Sequence, residues 1–174
     1  MTDTYEFSTG DNPKEERSTS TGSRSGEPTV LERLRKELSK KVERTEIFID
    51  VPERPGISLR ISPNISQHQM RSWRKNSGEN TKNGFDPTKF ACYVVGHTCT
   101  GIFIEDEEAV SAEGHRLSFA SPEILEMTNT TRPIPECVQA FFGIDPHVEA
   151  AALTIMDAAG YGDEVEQVDP TTES

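Results

Sequence analysis

The chain has 174 residues, enough for one ordinary domain, and its apolar share of only 33% implies that part of the length is unstructured. Its 18 Lys and Arg stand against 30 Asp and Glu, a net charge of −12 that disfavours binding to bulk nucleic acid, which needs a dense basic face. No apolar run approaches the roughly 18 residues of a membrane span, and the first residues, Met1 to Phe7, have neither the basic nor the apolar region of a secretory signal, so a small soluble cytoplasmic protein is expected.

Residues 1–28 are rich in Ser, Thr, Gly and Glu with almost no core-formers, and read as a disordered tail. Thr29 then stands three residues before Glu32, a capping-box spacing. Leu31, Leu34, Leu38 and Val42 recur at helical spacing among Arg33, Lys36, Lys40 and Lys41, which predicts an amphipathic basic helix over about 30–43 within a 29–44 segment. Its narrow apolar stripe suits docking against a domain or a partner. A compact domain is expected over 45–160, followed by an acidic tail, 161–174, with five carboxylates and no base.

Within that domain, Ile47, Ile49 and Val51 alternate with Glu46, Phe48 and Asp50, and Ile57, Leu59 and Ile61 alternate with polar residues across a Pro55-Gly56 turn, which predicts a β-hairpin over 46–62. Ser66 and Gln69 form a second capping box opening a helix with Met70 and Trp73, which gives way to a polar run from Asn76 to Gly84. Asp86-Pro87 starts a mostly apolar helix through Phe90, Val94 and Val95 that should end near Gly96. Ile102 to Ile104 read as a strand, the run Glu105 to Glu108 as a solvated turn, and Leu117 and Phe119 as a partner strand, giving a second hairpin near 101–119. Ser121-Pro122 opens a short helix, Pro133-Ile134-Pro135 breaks the chain, Val138, Phe141 and Phe142 lie on a short helix, and Asp145-Pro146 caps a last helix that Gly160 ends. The fold class is α+β, a small antiparallel sheet covered by short helices.

Little in this pattern carries catalytic or cofactor chemistry, and no catalytic, metal-ligating or cofactor-binding residue is assigned. Cys92, His97 and Cys99 are the only tight cluster of soft ligands, but their spacing lacks the paired ligands of a zinc site and Cys92 lies within an apolar helix, so buried thiols are expected. Arg71, Trp73, Arg74 and Lys75 could form a stacking surface for nucleic acid; the plainer reading puts Trp73 in the core and the cations in water. Charge is distributed unevenly, with 11 basic and 6 acidic groups over 28–75 against 2 and 16 over 98–174. That asymmetry fits either steering of a basic partner and self-association, or a solvated acidic surface.

Four stretches carry a family resemblance: ERTEIFIDVPERPGISLRISPNIS (43–66), QMRSWRKNSGENTKNGFDPTKFACYVVGHTCTGI (69–102), SFASPEILEMTN (118–129) and FFGIDPHVEAAALTIMDAAGY (141–161). Together they resemble the small tail assembly chaperones of long-tailed, siphovirus-type actinobacteriophages. The resemblance implies a non-enzymatic protein of the host cytoplasm that binds the tape-measure protein, keeps it soluble while tail-tube protein polymerises around it, and is absent from the mature virion. It also implies a longer frameshifted form, of which this chain would be the shorter counterpart, and leaves room for a homo-oligomer. Leu31, Leu34 and Leu38, or else the helix of Phe141 and Phe142, are the expected partner-binding residues, because both present apolar groups on short elements. A structural tail or head-completion protein retained in the virion is the alternative, and a small nucleic-acid-binding regulator a further one.

Overall fold

The computed structural model describes residues 26–162, so the expectations of unstructured tails fall largely on residues outside that span. The chain divides into two units, Met1–Lys41 and Val42–Ser174. The described part of the first contains one helix, α1 (Val30–Leu38). Its N-terminus is closed by the expected capping box: Thr29 N–H donates to Glu32 Oε2 at 2.8 Å and Glu32 N–H to Thr29 Oγ1 at 3.2 Å. The helix ends at Leu38 rather than near 43. There Ser39 Oγ donates to the Lys36 carbonyl at 2.7 Å, the kind of local side-chain bond that competes with helix propagation. Val42 therefore lies beyond the helix and does not extend its stripe.

The second unit is α+β. Strands β1 (Ile47–Asp50), β2 (Ile57–Ile61), β3 (Cys99–Ile104) and β4 (Glu107–Glu108) form one antiparallel sheet in that order. Between and after them come α2 (Gln67–Asn76), α3 (Pro87–Thr98), α4 (Pro122–Thr128), α5 (Val138–Phe142) and α6 (Asp145–Ala158). Period-2 alternation sends Ile49, Leu59, Ile61 and Ile102 to one face, where they join Val94 and Val95 of α3 and Val148, Ala152 and Ile155 of α6 in a single core. The opposite face carries a smaller cluster. Phe48 meets Phe103 edge-on with centroids 5.3 Å apart, Arg60 lies 5.4 Å over the Phe103 ring, and Arg60 Nη2 is 3.0 Å from Glu108 Oε1.

The second hairpin turns sooner than the apolar pattern suggests. Glu105 and Asp106 both adopt left-handed backbone, φ 48° and 67°, and make a two-residue turn, so the returning strand is Glu107–Glu108. Leu117 and Phe119 are buried core residues outside the named strands, and the loop between carries an isolated bridge of Val110 to Arg116.

Gly96 does not end α3, which runs on to Thr98. Its role is close approach: a Cβ there would fall 2.7 Å from Ile134 Cδ1 and 2.8 Å from Ile134 Cγ1. A glycine inside a helix normally costs about 1 kcal/mol against alanine, and here that cost admits Ile134 to the helix surface. Gly96→Val should therefore destabilise the domain by about 1–3 kcal/mol through overpacking, read as a lower urea midpoint.

Candidate partner-binding surface

Alpha-helical spacing places Val30, Leu31, Leu34 and Leu38 on one side of α1, and no residue of this helix is buried. Leu31 is 65% exposed, Leu34 51% and Leu38 77%, and with Arg35 and Ser39 the three leucines line a shallow apolar hollow. Both carboxylates of α1 are engaged locally. Glu32 closes the capping box, and Glu37 accepts from Lys40 Nζ at 2.7 Å. The side chains of Arg33, Arg35 and Lys36 have no carboxylate partner among the described residues. The surface is thus an apolar stripe in a net positive field, suited to an amphipathic segment bearing carboxylates.

The alternative surface, Phe141 and Phe142, is not formed. Phe142 is fully buried, and Phe141 is half-buried with its ring edge-on to Phe119 at 5.1 Å. Neighbouring residues on a helix point about 100° apart, so a five-residue helix against a core seats one ring inside and the other at the rim. Phe142 is core, and its assignment to a partner is corrected accordingly. The Phe141 carbonyl meanwhile accepts from Arg54 Nε at 3.2 Å.

Of the residues weighed for chemistry, the thiols and Trp73 are built into the core, and His97 is exposed at its rim. Cys92, Cys99 and Cys137 are buried free thiols. Burial, reinforced by the charges of Asp145, Asp86 and Glu136, pushes the Cys92 thiol up to about 12. Burial likewise raises Cys99 to about 11, against the opposing effects of the Gly101 backbone and of Arg60. Thiols so far above neutrality are poor nucleophiles. His97 stacks on Trp73 at 5.5 Å and on Tyr93 at 5.9 Å, and burial lowers its pKa. Met70 and Trp73 face the core from α2 while Arg71, Arg74 and Lys75 are exposed, the plainer of the two readings of that segment. Among the described residues no three of His, Cys, Asp and Glu are grouped as a metal ion would need, and no helix is long and apolar enough to cross a membrane.

The outer sheet face and the edge of β1 were missed at the level of sequence. The available signal was Phe48, an aromatic on the polar side of an alternating strand, 60% exposed. The chain matches no protein-family model, no curated protein and no solved structure in the comparisons made.

The stacked imidazole sets a pH dependence. Because the folded pKa of His97 lies below its ordinary value of about 6.5, the unfolded chain takes up the proton first. The stability this residue contributes is complete above about pH 6.5 and is lost as pH falls through the folded pKa. The unfolding free energy of the parent should drop more between about pH 7.5 and 5.5 than that of His97→Phe, measured by urea titration at both pH values.

Proposed function

We propose that this chain is a non-enzymatic assembly chaperone that binds an apolar helical segment of a tape-measure protein in the host cytoplasm and is released before the virion is complete. The observation that carries the reading is the leucine stripe of α1, three large apolar side chains on a helix with no buried residue. A protein that keeps a coiled-coil client soluble needs apolar surface to meet it and charge to hold the complex in water. Leu31, Leu34 and Leu38 meet the first need, and the net charge of −12 meets the second. Arg33, Arg35 and Lys36, without carboxylate partners among the described residues, favour a client helix with carboxylates beside its apolar face. The sequence resemblance supplies the identity of that client.

The test is co-expression with the tape-measure protein of the same genome. The client should become soluble and co-elute with this chain, and both effects should be lost with Leu34→Ala plus Leu38→Ala. Burying the two leucines is worth roughly 2 kcal/mol each, so the double variant should weaken binding on the order of a thousandfold. Because neither side chain is buried in the free chain, its melting curve should be unchanged. A client that stays insoluble, or that binds the double variant as well as the parent, would sink the proposal; the chain's peptides recovered from purified particles would favour the structural protein instead.

A further inference from the structure

The sheet has one long open edge. Val51 N–H donates to the Ile57 carbonyl at 3.1 Å, and Ile49 and Ile47 pair with Leu59 and Ile61 in the same register. In an antiparallel ladder the bonding direction alternates, so Ile47, Ile49 and Val51 turn their amides to β2 while Phe48 and Asp50 turn theirs away from it. Among the described residues β1 has no strand neighbour on that side.

Alongside this edge runs a groove of about 350 Å³. One wall is β1, with Phe48, Asp50 and Pro52; the other is α6, with His147, Ala150 and Thr154. Small side chains on α6 leave the space open. The Nδ1 atom of His147 is buried and has no hydrogen-bond partner, a polar group left unsatisfied in the wall. Charge narrows the occupant. Residues 45–53 contain Glu46, Asp50 and Glu53 and no base. None of these three carboxylates has an ion-pair partner among the described residues. A second copy of β1 would set these like charges against each other, whereas an extended segment carrying Lys or Arg would neutralise them.

We propose that the β1 edge and α6 form a strand-addition site for an extended basic peptide, which pairs with the backbone of Phe48 and Asp50 and places a cation against Asp50. This is the recognition mode in which main-chain bonds supply affinity and alternate side chains supply selectivity. It is separate from the helical client of α1.

The probe is a blocked peptide of alternating valine and lysine, added to the full chain, with amide exchange read residue by residue. The Phe48 and Asp50 amides should slow at least about tenfold, while Ile47 and Ile49, already bonded to β2, should not change. Asp50→Lys, at an exposed position, should weaken the valine–lysine peptide about tenfold and create binding of a valine–glutamate peptide. Ala150→Trp, on the exposed side of α6, should fill the groove and abolish binding with the melting curve intact. Three results would overturn the proposal: no added protection at Phe48 and Asp50, equal binding of the same valine–lysine peptide with every backbone nitrogen methylated, which cannot pair, or protection that appears with chain concentration in the absence of peptide, which would make the edge a self-association surface.

Discussion

The contact between α3 and α6 is what the rest of the second unit is arranged around. Val94, Val95, Val148 and Ile155 are fully buried, and Ala151 and Ala152 keep the facing surface of α6 shallow. A chain that is one third apolar can build only one such core, and the sheet has to lay its single apolar face upon it. The packing also orients α6. With Val148, Ala152 and Ile155 turned inward, His147, Ala150 and Thr154 fall on the flank beside β1. The groove at the sheet edge is therefore a by-product of how the core is filled.

The two units treat apolar residues in opposite ways. In the domain, even the thiols are drawn into the interior and their chemistry is suppressed by burial, while the His97 ring stays exposed and stacks on Trp73 and Tyr93. In α1 the leucines stay outside, although its capping box and its Glu37–Lys40 pair make it a well-terminated helix. Among the described residues, local bonds thus account for the helix while packing does not.

Local signals were legible in the sequence where a single residue type settles the backbone. Both capping boxes, the Asp86-Pro87 start and the Pro55-Gly56 hairpin form as their residues dictate. Three features were not legible, each because a distant or conformational partner decides it. Gly96 reads as a helix stop until Ile134 is seen against it. Glu105-Asp106 offers no glycine to announce a tight turn, yet both residues take left-handed backbone. Phe141 and Phe142 look equivalent in a row of letters, and only their orientation separates rim from core. At the candidate site the leucine periodicity was readable directly. The β1 edge was not, since an open edge is a property of strand order.

Arg60 lies flat across the outer face of the sheet because Gly101, its cross-strand neighbour, has no side chain; a Cβ there would come 2.9 Å from Arg60 Nη2 and 3.0 Å from Glu108 Oε1. Glu108 also receives Arg116 Nε at 3.4 Å, which ties the loop beyond β4 back to the sheet. Of four consecutive carboxylates, Glu105 to Glu108, only the last is paired among the described residues, and the other three are exposed. Mutational drift should treat this run unequally. As far as charge is concerned, three positions are free to exchange, while Glu108 can change only together with Arg60 and Gly101, so that these three positions evolve as one unit across two strands and a turn.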